Sequence, residues 1–172
     1  MKETMDFTFN QIESNEKDIV LDLLKEAAEK ISKMNIDHWQ NWKNHSAQDI
    51  KWVEEGINNN EFFFINTLDN QNLGMVRILN EDKLYWGDQE HKSKYIHSLV
   101  INEAYNGKGY GNMVLQKIAH KAIKENCKYL RLDADSQNPK LCAYYENLGF
   151  QKVGIKRLNQ AKYNLYQKEL IL

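Results

Sequence analysis

The sequence predicts a mixed α/β fold: one domain with a mostly antiparallel sheet flanked by helices. Three observations lead there. Apolar residues recur at helical spacing in some stretches and alternate in others. A strongly amphipathic stretch at 113–125 (MVLQKIAHKAIKE) stands between two strand-like runs, so it reads as a crossover helix joining parallel strands. A length of 172 residues suits a single sizeable core and leaves little room for a second.

The elements follow in order. Residues 5–9 (MDFTF) place Met5, Phe7 and Phe9 on one face of a strand. From 17 to about 34, Ile19, Val20, Leu23, Leu24, Ala27, Ala28 and Ile31 form a helical stripe, with Ser14 or Asn15 as the expected cap. Ser46-Ala47-Gln48-Asp49 reads as a capping box opening a second helix to about residue 57. Runs 61–68 (EFFFINTL) and 73–79 (LGMVRIL) flank an Asx-rich turn, which predicts an antiparallel hairpin. The polar stretch 80–93 reads as a long loop or irregular strand around Leu84, Tyr85 and Trp86. Strands are expected at 95–101 (YIHSLVI) and 129–134 (YLRLDA), on either side of the crossover helix. A helix at 139–148 has Asn138 as cap, Pro139 at its first position and Gly149 at its end. Runs 151–156 and 163–170 close the chain as a second hairpin.

Composition removes several function classes. Lys and Arg number 23 against 24 Asp and Glu, a formal charge of −1, so no nucleic-acid or anionic-membrane partner is expected. A hydrophobic share of 42% is too high for a disordered chain. Two cysteines, Cys127 and Cys142, build no disulfide framework and no zinc site, and read as small buried hydrophobes. No metal is expected. No run approaches the roughly 18 apolar residues of a membrane span. The first residues carry no apolar signal-peptide core, and the expected location is the cytoplasm.

The chemistry concentrates after the 95–101 strand. Asn106-Gly107-Lys108-Gly109-Tyr110-Gly111-Asn112 puts three of the chain's eight glycines into a turn that opens a helix. Glycines allow left-handed dihedrals and let main-chain N–H groups converge on an anion, while the helix N-terminus adds partial positive charge. Lys108 adds a cationic side chain. The reading is a pyrophosphate cradle, with a ligand-free glycine turn as the alternative. It is neither a Walker loop nor a dinucleotide fingerprint: no Lys-Ser/Thr pair follows the last glycine, and Asn112 stands where the second would need Gly.

This segment resembles the Q/R-x-x-G-x-G/A signature of the GNAT superfamily of acyl-CoA-dependent N-acetyltransferases, with Asn106 where the family usually carries Gln or Arg. A second stretch, Asn138-Pro-Lys-Leu-Cys-Ala-Tyr-Tyr-Glu-Asn-Leu-Gly-Phe150, is similar to its N-x-x-x-x-x-x-Y-E-x-x-G-F pattern. The two lie on either side of the helix and strand the fold requires. The resemblance implies acetyl-CoA as co-substrate and a primary amine as acceptor, a small molecule before a protein, with a homodimer as a family-level expectation. It also implies that the main chain of Leu99, Val100 and Ile101 pairs with the pantetheine arm, that 106–112 holds the pyrophosphate, and that Asn138 touches the coenzyme. A non-catalytic acyl-CoA-binding or sensor domain is the alternative from another class.

Acyl transfer to an amine requires a deprotonated nitrogen and a stabilised leaving thiolate. A Lys-type amine has a pKa of about 10.4, so a base or a desolvating pocket is needed near neutrality. Tyr145 occupies the Tyr of the second motif and is the candidate general acid; its neighbour Tyr144 is expected to point elsewhere. His97 is the candidate base, because Tyr95, His97, Leu99 and Ile101 share one strand face by alternation and His titrates near neutral pH. In arylalkylamine acetyltransferases the matching face carries His. Trp39, Trp42, Tyr95 and Asp133 are candidates for the acceptor side. Tyr85 and Trp86 read as pocket lining or loop anchors alike. The acids Asp82, Asp88 and Glu90 read as a lure for a cationic amine or as a solvated loop.

Overall fold

A computed structural model describes residues 6–171. Strand β1 (Phe7–Gln11) leads through a 3-10 turn at Ser14–Glu16 to helix α1 (Lys17–Lys33), then a second 3-10 turn at Gln40–Lys43 and helix α2 (Ala47–Asn58). Next come β2 (Phe62–Thr67), β3 (Asn72–Leu79), a one-turn helix α3 (Lys83–Trp86) and β4 (Ser93–Ile101). Helix α4 (Tyr110–Lys124), β5 (Tyr129–Asp135), α5 (Pro139–Asn147), β6 (Gln151–Leu158) and β7 (Ala161–Glu169) complete the order. Among the described residues seven strands form one mixed, mostly antiparallel open sheet flanked by helices, in the order β1-β2-β3-β4-β5-β7-β6. The crossover through α4 makes β4 and β5 parallel from Ser93↔Tyr129 to Ile96↔Leu132, as the pattern required. The expected hairpins β2–β3 and β6–β7 are both antiparallel.

The described residues divide into two compact units, 6–77 with Ser98–Tyr110, and Ile78–His97 with 111–171. In the first unit, α1 buries Val20, Leu21, Leu23, Leu24 and Ala28 in a core with Trp42, Val53, Ile57, Phe62 and Met75. Ile19, counted into the stripe from sequence, is half exposed, because it is turned to the far side of that stripe. Ser14 and Asn15 do not cap α1. They lie inside the 3-10 turn, where Glu13 and Glu16 form the capping box. The predicted box at α2 is present: the Ser46 side chain accepts from the Asp49 N–H, and Asp49 accepts from the Ser46 N–H. Met5 lies outside the described residues; Phe7 is buried on β1 and Phe9 half-buried.

In the second unit, α4 buries Val114, Leu115, Ile118 and Ala122, and β5 buries Leu130 and Leu132. Helix α5 is capped by Asn138, whose side chain accepts from the Leu141 N–H, and is closed by Gly149 at φ +88. The stretch expected to be loop or irregular strand contains α3. Its N-cap Asp82 accepts from the Tyr85 N–H, Trp86 is buried, and Gly87 ends the turn at φ +63. Four residues are too few for a helical period to show in sequence.

Candidate active site

The glycine turn is built as a nest. Gly107 and Gly109 lie at φ +72 and +83, and an added Cβ at either would meet nothing within 4 Å. Residues 106–109 are exposed, Tyr110 buries its ring edge-on against Tyr105, and α4 begins at Tyr110. What this segment offers is therefore main chain: left-handed glycines ahead of a helix N-terminus, preceded by Asn106, whose N–H donates to the Glu103 carbonyl. These residues fit an anionic phosphate group. Tyr110, a sequence candidate for coenzyme contact, has only its backbone left for that role. Lys108 is exposed, its ammonium 5.4 Å from the centre of the Tyr105 ring.

Strand β4 is not regular. Ser98 adopts φ +50, a left-handed conformation rare for a residue with a side chain, directly after His97. The two-residue alternation therefore holds for Tyr95 and His97 but does not carry through to Leu99 and Ile101. Such a break leaves no trace in composition, and so the four-residue face read from sequence was too long.

His97 is the centre of a cluster drawn from three elements. Its Nε2 lies 2.7 Å from Asp82 Oδ2, and its Nδ1 lies 3.6 Å from Asp133 Oδ1 on β5. The three side chains are 13%, 5% and 10% exposed. Because an ionised carboxylate only accepts, the short contact makes Nε2 the donor. The other ring nitrogen, Nδ1, faces the Asp133 carboxylate. Burial pushes the Asp133 carboxyl up to about 6, against the opposing pull of the His97 ring. The Tyr85 ring stands 5.1 Å from the imidazole and 5.3 Å from Tyr163. Burial, followed by the charge of Asp133, raises the Tyr85 hydroxyl far above its usual range.

Asp82 is the residue that sequence reasoning missed as a partner of His97. Of the four acids in 80–93 it alone is buried, whereas Glu81, Asp88 and Glu90 are exposed. One signal pointed to it: an Asp three residues before an aromatic in Asp82-Lys83-Leu84-Tyr85 is an N-cap pattern.

Tyr95 is not available to a substrate. It is buried, accepts a hydrogen bond from Arg131 at 2.9 Å, and packs edge-on against Trp86. The buried Arg131 guanidinium lies 4.9 Å from the ring centres of both Trp86 and Tyr129. That stack ties α3, and with it Asp82, to the strands that carry His97 and Asp133. Trp42 likewise belongs to the core, packed against Trp52, while Trp39 is half-buried at φ +64 beside His38. Cys127 and Cys142 are both buried free thiols.

Tyr145 is half-buried on α5, packed against Phe150 and Tyr166. Burial first, then the charge of Asp133, raises its hydroxyl well above the ordinary tyrosine value, so it is protonated at neutral pH. Tyr144, one helical step before Tyr145, is exposed and stands beside Gly111. A Cβ built on Gly111 would lie 3.0 Å from its hydroxyl oxygen, and the two tyrosine rings are 5.5 Å apart.

Among the described residues no helix is long and apolar enough to cross a membrane. The described fold is similar to an acetyltransferase of the GNAT family from Listeria monocytogenes 4b F2365, at 22% identity and a TM-score of 0.78, over 99% of this chain and 98% of that one. It is also similar to a spermidine N-acetyltransferase from Vibrio cholerae, solved in complex with CoA and spermine, at 16% identity and a TM-score of 0.68, over 95% of each chain. An uncharacterized N-acetyltransferase of Bacillus subtilis (strain 168), YesJ, is 29% identical over 90 residues, which span 52% of this chain and 48% of that protein. At these identities the two solved structures show the fold. The family model for the GNAT acetyltransferases matches residues 24–150, most of the chain and both of its motifs, and the chain belongs to that family.

Proposed function

We propose that this protein is an N-acetyltransferase that moves an acetyl group from acetyl-CoA to the nitrogen of a small-molecule primary amine by direct attack. The observation that supports it most is the His97–Asp82 contact of 2.7 Å: an imidazole held through Nε2 by a buried carboxylate, in a chain of this family. Acetyl-CoA supplies the acyl carbon and the thiol leaving group. The main chain of Leu99, Val100 and Ile101 takes the pantetheine arm. Asn106, Gly107, Lys108, Gly109, Tyr110, Gly111 and Asn112 take the pyrophosphate, and Asn138 adds a side-chain contact beside its capping role.

His97 removes one proton from the acceptor, and the resulting imidazolium is stabilised through Nε2–H by Asp82. Tyr145 holds a proton at its hydroxyl for the departing sulfur. The second proton lost by the amine nitrogen replaces it, so both residues return to their starting state once His97 releases its proton to water. The protein works in the cytoplasm.

The test is CoA binding by calorimetry followed by CoA release with a panel of amines. Binding with amine-stimulated release supports the enzyme. Binding with no release from any amine or protein extract contradicts it and leaves the sensor reading. Absence of binding contradicts both.

A further inference from the structure

The Asx-rich turn between β2 and β3 does more than reverse the chain. Residues 71–74 each hold a residue of the stretch 100–105. An added Cβ on Gly74 would run into the Val100 carbonyl oxygen, so glycine is what lets β3 approach β4 there. The Leu73 carbonyl accepts from the Asn102 N–H at 2.8 Å. Asn102 Nδ2 donates to the Asn72 carbonyl at 2.8 Å and to Asn72 Oδ1 at 3.0 Å. The Tyr105 hydroxyl donates to Gln71 Oε1 at 3.0 Å.

Each amide in this network has one workable orientation. A main-chain carbonyl only accepts, so the Asn102 atom facing the Asn72 carbonyl is its nitrogen. By the same argument Asn72 turns its nitrogen to the Gly74 carbonyl at 3.1 Å, which leaves Oδ1 for Asn102. Gln71 gives its nitrogen to the Asp69 carboxylate at 3.0 Å, which leaves Oε1 for Tyr105. The Asn72 nitrogen also reaches Asn66 Oδ1 on β2 at 3.0 Å, tying the network into the sheet. An assembly directed in this way is stiff, because displacing one amide strips partners from the next.

What the network holds is a joint. Residues 99–101 are proposed above for the pantetheine arm and 106–112 for the pyrophosphate, and 102–105 connects them. Within that connection the Asn102 carbonyl accepts from the Tyr105 N–H at 2.9 Å, closing the 3-10 turn Glu103–Tyr105. Anchoring Asn102 and Tyr105 therefore sets the spacing of the two segments. We infer that Asn102 is a positioning residue for the coenzyme: bonded to Asn72, it keeps 102–105 in the binding shape before CoA arrives. This rests on the coenzyme reading above and adds what keeps that site formed while empty. Asn102 acts through the main chain on either side of it, not by touching CoA. A segment that holds its binding shape only part of the time loses affinity by that fraction, and the loss falls on association.

The experiment measures CoA binding by calorimetry and by stopped flow for the wild type, Asn102→Ala and Ser46→Ala. Ser46→Ala removes the α2 cap in the same compact unit and controls for lost stability alone. The expected result for Asn102→Ala is a Kd raised on the order of 5- to 50-fold, the worth of one to two hydrogen bonds. Slower association carries that loss, with the dissociation rate kept within about twofold. Ser46→Ala should lower the melting temperature and leave the Kd within about twofold of the wild type. A Kd unchanged within about twofold in Asn102→Ala overturns the inference and leaves the coenzyme reading standing. Equal losses in both variants make Asn102 merely structural and overturn it. A loss carried by faster dissociation alone makes Asn102 a direct contact and overturns it too. A wild type that binds no CoA removes the coenzyme reading and the inference together. Should Asn102→Ala not fold, Tyr105→Phe takes its place, losing one hydroxyl bond and keeping the ring. A Kd raised about 2- to 10-fold through association then supports the inference, and an unchanged Kd overturns it.

Discussion

The glycine turn at 106–112 and the cluster of Asp82, His97 and Asp133, the two regions proposed to act on ligands, are built in opposite ways. The turn offers backbone, is exposed over 106–109, and has empty space where side chains of Gly107 and Gly109 would stand. The cluster offers side chains, none more than 13% exposed, and each placed by a different element: the cap of α3, the strand β4, and β5. Backbone recognition suits a ligand part common to every turnover, because a main-chain N–H survives every substitution but one to proline. Side-chain recognition suits proton transfer and acceptor choice, which require particular pKa values and charges.

The two regions should therefore fail differently. His97→Ala should lower kcat/KM for the acceptor by about 100- to 10,000-fold, the range for a lost general base, with CoA affinity kept; steady-state kinetics beside calorimetry checks this. Tyr145→Phe should lower kcat by about 100-fold and again spare CoA binding; equal loss of both would make Tyr145 structural. Tyr144→Phe is the paired control, because its hydroxyl stands against Gly111 and its loss should weaken CoA more than it slows turnover.

Substitution in the turn should show the reverse pattern. Gly109→Ala forces a side chain into φ +83, at a cost of about 1–2 kcal/mol, which should raise the Kd for CoA by roughly 5- to 30-fold and change kcat little.

The smallest effect concerns stability. The Asp133 carboxyl is raised from 3.8 to about 6 by burial, so the folded state binds its proton more tightly than the unfolded chain does. Its contribution is fully present below pH 3.8 and is lost as pH rises through about 6. The melting temperature of the wild type relative to Asp133→Asn should fall across that window and be level above it. A difference that rises instead would contradict the burial described.

The same contrast explains what sequence alone could tell. The turn's backbone was legible because its signal is local: three glycines in five residues, placed between a strand and a helix. The fold was legible where periods are long, as in α1 and α4, and where caps are local, as at Ser46 and Asn138. The cluster was half legible. His97 and Asp133 stand out as polar residues in strands, but their meeting with Asp82 depends on a one-turn helix too short to leave a period. The left-handed Ser98 was invisible for a related reason: a single dihedral breaks the alternation of β4 without altering its residue pattern. Tyr95 misled because an aromatic beside a candidate base looks like pocket lining, whereas its hydroxyl is taken by the buried Arg131.

The most direct test of the central claim is the acetylated product itself: mass-spectrometric detection of N-acetylbutylamine from acetyl-CoA and butylamine, with wild type and His97→Ala at matched CoA occupancy. The geometry predicts product with the wild type and its loss, on the order of 100-fold or more, with the variant. Equal product from both proteins, or CoA bound and no product from either, would contradict it.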